Sequence, residues 1–148
     1  LMIDIDHFKS VNDVHGHNTG DDVLKHLVGV ISDGTRDEDL LGRLGGEEFA
    51  LILPETDLER AGILANRLRE AVKRLSFSTE TGDFGISISV GISRPEAMDP
   101  DILPALERAD KALYEAKRNG RDRVETAAPR RPDPVSETSD HWILREAS

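Results

Sequence analysis

A sheet covered by helices, of the α/β or α+β class, is what this sequence predicts, and three observations carry the prediction. Short apolar runs bounded by Gly, Pro or acidic residues alternate with amphipathic stretches at helical spacing. Two of the apolar runs are joined by Gly45-Gly46, which reads as a hairpin turn. Hydrophobic residues make up 37% of 148 and charged residues 32%, enough for one core beneath a very polar surface.

The elements follow in order. "LMIDI" (1–5) is short and apolar, as a buried strand should be. "HFKSVNDVHG" sets Phe8, Val11 and Val14 at helical spacing, with Gly16 as its stop. "NTGDDVLKHLVGVISDG" is a second helix with an apolar stripe of Val23, Leu24, Leu27, Val28 and Ile31. "DLLGRLG" (39–45) and "EFALILP" (48–54) are the hairpin strands, the second ended by Pro54. "DLERAGILANRLREAVKRL" (57–75) is an amphipathic helix with Asp57 as N-cap. "FGISISVGIS" (84–93) alternates as a strand does, and residues 99–120 form a helix begun by Asp-Pro and ended by Asn-Gly. "RDRVE" is a last short edge strand. No internal repeat is visible.

Charge narrows the function classes. A net charge of -10 argues against non-specific binding to nucleic acid or to an anionic membrane surface, and an anionic small substrate would need local help from Lys, Arg or a metal ion. The chain has no cysteine, which excludes disulfides and thiolate metal sites. No apolar run approaches the roughly 20 residues that cross a bilayer, and no signal peptide is visible. The expected location is the cytoplasm, with any membrane anchor lying upstream. A chain that opens inside a core strand is expected to be a fragment of something longer. Residues 126–148, rich in Pro, charge and Ser/Thr, read as a disordered tail, which leaves residues 1–125 as the folded domain.

The chemistry-bearing candidates are mostly acidic. Asp4 and Asp6 share one side of the first strand near its C-terminal end, where ligands collect in such sheets. An unpaired Asp inside an apolar strand is costly. Asp6 reads as the cap of the next helix; Asp4 has no capping job and reads as a metal ligand once a second acidic cluster lies nearby. Glu47-Glu48, on the hairpin tip, is that cluster or else an ordinary solvated turn. Hard cations such as Mg²⁺ take carboxylate oxygens and complete their shells with water and phosphate. Lys9 is a cation for phosphates or a surface lysine. Asn12 and Asp21 would suit a guanine edge, a carboxylate accepting from N1 and N2, but spacing alone does not single them out and each reads first as an ordinary helical polar residue.

Taken together, "DIDHFKSVND", "GHNTGDDVL", "GRLGGEEFALIL", "ISISVGIS" and "ADKALYEAKRNGRDRV" resemble the GGDEF domain of bacterial diguanylate cyclases, in order and with compatible spacing, from residue 1 to about 125. The resemblance implies an α+β fold like that of nucleotide cyclases and polymerase palms, its central, mostly antiparallel five-stranded sheet flanked by helices and its hairpin carrying the GGEEF signature. It also implies condensation of two GTP into cyclic di-GMP and two pyrophosphates, across a homodimer in which each subunit holds one GTP. The implied metal ligands, for Mg²⁺ or Mn²⁺, are Asp4, the backbone carbonyl of Ile5, Glu47 and Glu48. Glu47 is also the implied general base for the 3′-hydroxyl, and Lys9 steadies charge in the transition state. Asn12 and Asp21 correspond to guanine contacts, His17 to a further substrate contact, and Lys117 and Arg121 to residues that reach the triphosphate.

"RDED" (36–39) corresponds to the family's RxxD inhibitory site, with Arg36 forking onto guanine or phosphate, Asp39 accepting guanine N–H groups, and Arg67 as an additional arginine; cyclic di-GMP is its expected ligand. The sequence departs from the family at its front, where a DxLTGLxNR segment and a helix normally precede the first strand. Its absence is expected to expose a sheet face, weaken the dimer and lower activity. Two other readings have discriminating features: a non-catalytic GGDEF module that signals by binding GTP or cyclic di-GMP, disfavoured by intact Asp4, Glu47 and Glu48, and another nucleotide cyclase or polymerase palm, disfavoured by Asp21 and the signature hairpin.

Overall fold

The computed structural model describes residues 1–129; the expected tail lies outside the described residues from position 130 onward. The fold is α+β. Strand β1 (Met2–Ile5) leads into helices α1 (Phe8–His15) and α2 (His17–Gly34), then strands β2 (Leu40–Gly45) and β3 (Glu48–Ile52) and helix α3 (Leu58–Lys73). Strands β4 (Phe77–Thr79), β5 (Gly82–Phe84) and β6 (Ile88–Ile92), helix α4 (Leu103–Arg118) and strand β7 (Val124–Thr126) follow. The main sheet runs β2-β3-β1-β6-β7, antiparallel throughout except for β6 beside β7, and β4 and β5 form a separate two-stranded ribbon.

Alternation along β1 and β6 sorts the two faces of the sheet. Leu1, Ile3 and Ile5 join Ile86, Ile88, Val90 and Ile92 in the large core, which is closed by Val23, Leu24, Leu27 and Ile31 of α2 and by Ala61, Ala65, Leu68 and Val72 of α3. Among the described residues the opposite face carries a smaller cluster, Met2 and Ala50 against Ala109 and Leu113 of α4. Helix α4 lies very close to β6: a Cβ at Gly91 would stand 2.0 Å from the Ala109 carbonyl oxygen. That closeness brings the C-terminal turn of α4 to the end of β1, where the carboxylates are.

Several expectations hold and several shift. Asp57 caps α3, its side chain accepting from the Arg60 amide at 2.8 Å. Val14 and Val28, assigned to apolar stripes, are exposed instead. The strand expected over 84–93 is shorter, Ile88–Ile92, because Phe84 turns into the β4–β5 ribbon and stacks with Phe77 and His15. Helix α4 begins at Leu103, not at Asp99-Pro100: Asp99 is taken by Arg108 and the Glu96 amide, and Pro104 is the proline of the first turn.

Candidate active site

The hairpin β2–β3 brings the signature glutamates to the end of β1. In the β1–β3 ladder Asp4 stands directly opposite Glu48, the first residue of β3, with Glu47 just before it on the turn. Arg43 ties the turn down, its Nε donating to the Gly46 carbonyl at 2.9 Å across an irregularity between Arg43 and Gly45. Lys117, in the last turn of α4, reaches Asp4 Oδ2 at 3.0 Å.

Asp4 is 5% exposed. Burial pushes its carboxyl up to about 6; the Lys117 ammonium pulls against that, while Glu47 and Glu48 push with it. One cation thus faces three acids, and the buried member of the set is under-compensated. Among the described residues no three His, Asp or Glu side chains stand close enough to enclose a metal ion by themselves. The donors fit a hard cation in part: carboxylate oxygens at one strand end, an acid pushed toward its neutral form by burial and like charge, and room for the rest of the shell to come from backbone and phosphate oxygen.

Asp6 is as buried as Asp4, and the capping role expected for it is wrong. The N-cap position of α1 is His7, in left-handed conformation and without a side-chain cap. Asp6 instead accepts from Ser87 Oγ and Ser89 Oγ, each at 2.6 Å, and from the Asp122 amide at 3.0 Å. The reason is its face: with Asp4 it points toward α4, where Ser89 of β6 and Ser87 just before that strand offer hydroxyls and the loop after α4 offers an N–H.

The remaining candidates fall into two groups. Asp21 lines an open groove of about 570 Å³ between α2 and the hairpin, together with Leu24, Lys25, Val28, Leu41, Arg43 and Phe49. Asn12 and His17 sit on the corner between α1 and α2, outside that lining; a Cβ at Gly20 would stand 1.9 Å from Asn12 Oδ1, so the glycine makes room for the amide. Lys9 and Arg121 are exposed, and Ile5 is buried at the end of β1. Away from these, Arg36, Asp39 and Arg67 line one cavity of about 180 Å³ with Arg60 and Thr56. There the Arg36 amide donates to Asp39 Oδ2 at 2.8 Å and an Arg67 guanidinium nitrogen to the Gly34 carbonyl at 2.7 Å.

Two contributors escaped the sequence reading. Arg43 was legible only as a strand residue, though its place two residues before the Gly-Gly turn is a signal that it can reach back across it. Asp122 lies in a segment read as the start of a strand; the chain instead turns there, and its carboxylate pairs with Arg69 at 2.7 Å and Lys73 at 2.8 Å.

The family model described as "Diguanylate cyclase, GGDEF domain" matches residues 1–123. The chain is 45% identical over 133 residues to the probable diguanylate cyclase DgcT of Escherichia coli (strain K12), an alignment that covers 84% of this chain and 28% of that protein. The chain therefore spans under a third of that curated relative's length. Its fold matches the active GGEEF domain of a diguanylate cyclase from Vibrio cholerae with a TM-score of 0.81 and 39% identity, over 87% of this chain and 81% of that one. The GGDEF domain of DgcB from Caulobacter crescentus, solved in complex with c-di-GMP, matches with a TM-score of 0.80 and 34% identity, over 84% of this chain and 74% of that one.

Proposed function

The chain belongs to the GGDEF domain family of diguanylate cyclases, and on that premise we propose that residues 1–125 condense two GTP into cyclic di-GMP and two pyrophosphates, in the cytoplasm and across a homodimer. The observation that carries the reading is the convergence of Asp4, Glu48 and Lys117 at the end of β1, with Asp4 buried and held by a single cation.

In each half-reaction the 3′-hydroxyl oxygen of one GTP bonds to the α-phosphorus of the other. The bond from that phosphorus to the bridging oxygen breaks, and pyrophosphate leaves. Such a transfer depends on positioning and charge neutralisation more than on covalent chemistry by the protein. Glu47, half-buried on the turn, is the base that takes the hydroxyl proton. Asp21 accepts from the guanine N1 and N2 donors, Asn12 serves the remaining edge, and His17 adds a contact at the same corner. Lys117 and Arg121 hold the triphosphate, and Lys9 meets the charge that develops on the α-phosphate. Asp4, the Ile5 carbonyl, Glu47 and Glu48 would hold Mg²⁺ or Mn²⁺, which when bound neutralises phosphate charge.

The cavity of Arg36, Asp39 and Arg67 is proposed as the site where product inhibits. Arg36 and Arg67 would meet guanine or phosphate, Asp39 guanine N–H groups. Incubation with GTP and Mg²⁺ tests the activity: cyclic di-GMP and pyrophosphate should appear with wild type and not with Glu47→Ala. Activity that survives in Glu47→Ala removes that residue as base and ligand. Arg36→Ala should leave initial rates intact and abolish the slowing as cyclic di-GMP accumulates; unchanged slowing removes the inhibitory assignment.

A further inference from the structure

We infer that Asp6, Asp122, Arg69 and Lys73 form a positioning network that sets Arg121 over the phosphate end of the site, so that it governs preference for a nucleoside triphosphate over a monophosphate. The inference rests on the proposed assignment of Lys117 and Arg121 to the triphosphate.

The backbone after α4 is unusual. Gly120 has φ 116°, and the next two residues, neither of them glycine, are also left-handed, Arg121 at 62° and Asp122 at 45°. Consecutive left-handed non-glycine residues cost free energy and persist only where the surroundings over-determine them. Here the surroundings do so from three sides. The Arg121 amide donates to the Ala116 carbonyl at 2.9 Å, tying the loop to the turn that carries Lys117. The Asp122 amide donates to Asp6, whose two oxygens are also held by Ser87 and by the fully buried Ser89. The Asp122 carboxylate is gripped by Arg69 and Lys73, two cations one helical turn apart on α3.

What this loop displays is the Arg121 side chain. It is exposed, and among the described residues it has no ion pair or side-chain hydrogen bond, while Arg69, Arg108, Arg118 and Arg123 all have carboxylate partners. A strained loop, fastened on one side by buried Asp6 and on the other by the Arg69 and Lys73 ion pairs, and presenting an unpartnered guanidinium one turn beyond Lys117, is built to meet an anion. Arg69 and Lys73 are therefore positioning residues: they hold Asp122, which holds the backbone of Arg121. The guanine end, at Asn12 and Asp21, lies on α1 and α2 and shares no residue with the network.

The test compares affinity for 3′-deoxy-GTP, which cannot react, with affinity for GMP, each in the presence of Mg²⁺, by titration calorimetry on the whole chain. Wild type should prefer the triphosphate. Asp122→Ala keeps the amide to Asp6 but removes the carboxylate; it should weaken 3′-deoxy-GTP roughly tenfold, the loss of about one charge-assisted contact, and leave GMP within roughly twofold. Arg69→Ala should weaken 3′-deoxy-GTP in the same selective way, whereas Arg69→Lys, which preserves a cation, should retain much of the preference as the conservative control. Should Asp122→Ala not fold, Lys73→Ala, which removes a half-exposed partner of the same carboxylate, carries the same comparison with a smaller effect. An Asp122→Ala or Lys73→Ala protein that loses both nucleotides equally, or neither, overturns the network's role while leaving the cyclase reading in place. Wild type that binds neither nucleotide overturns both.

Discussion

Asp4 and Asp6 are two residues apart, equally buried, and on the same face of the sheet, yet they live in opposite surroundings. Asp6 receives two hydroxyls and a backbone amide. Asp4 receives one ammonium and confronts two glutamates. A buried carboxylate with its lone pairs satisfied is a structural element, whereas one left short of partners is a cost that folding alone does not explain. The difference teaches that burial does not separate a functional acid from a structural one. The count of donors around it does.

The sharpest way to break this comparison is to remove each acid in turn. Asp4→Asn should lower cyclic di-GMP formation by a factor on the order of a thousand, comparable to removing an electrostatic contributor to the transition state. It should leave the thermal midpoint unchanged or raised, because a buried charge and its repulsion with Glu47 and Glu48 are gone. Asp6→Ala should act the other way: it strands the Ser87 and Ser89 hydroxyls and the Asp122 amide, and should destabilise the fold by about 3 kcal/mol in chemical denaturation. If Asp4→Asn loses as much stability as Asp6→Ala, then Asp4 is structural too and the contrast collapses.

The same contrast explains what could be read from the sequence. Asp4 and the glutamate turn were legible because their relation is carried by two strands that pair, and a hairpin with a strong turn signal announces which strands those are. Asp6 was misread because its partners, Ser87, Ser89 and Asp122, come from distant segments, whereas capping is the local use of such a residue. A hint existed: the alternation of "ISISVGIS" puts both serines on the face away from the large core, and small polar side chains on a helix-covered face need partners. That alternation also hid the β4–β5 ribbon. Phe84, Ile86, Ile88, Val90 and Ile92 keep one parity and all face the large core, so nothing in the periodicity marks where the ladder breaks. The left-handed run at Arg121 and Asp122 was likewise hard to see: Asp is enriched in that region but is commoner elsewhere, and Arg121 gives no such signal.

A smaller effect sharpens the comparison further, because Asp4 should make stability depend on pH in a direction unusual for a carboxylate. Its folded value, pushed up to about 6, lies above the ordinary 3.8. Between those values the folded protein binds a proton that the unfolded chain does not. In the metal-free protein the Asp4 contribution to stability is therefore worst above pH 6 and improves as pH falls toward 4, by about 3 kcal/mol at most. Asp122 does not mask this. Burial pushes its carboxyl up, but Lys73 and Arg69 together bring it below the ordinary value, so its stabilisation is lost only below about pH 4. Magnesium should invert the trend. A cation bound at Asp4 competes with the proton, so saturating Mg²⁺ should raise the thermal midpoint at pH 7.5, by an amount equivalent to about 1–3 kcal/mol, and have little effect at pH 5. Melting curves at both pH values, with and without Mg²⁺, give the result for wild type, and Asp4→Asn should flatten both the pH trend and the magnesium shift. A magnesium shift that persists in Asp4→Asn would mean that the cation binds elsewhere, and that the missing donors around Asp4 have some other explanation.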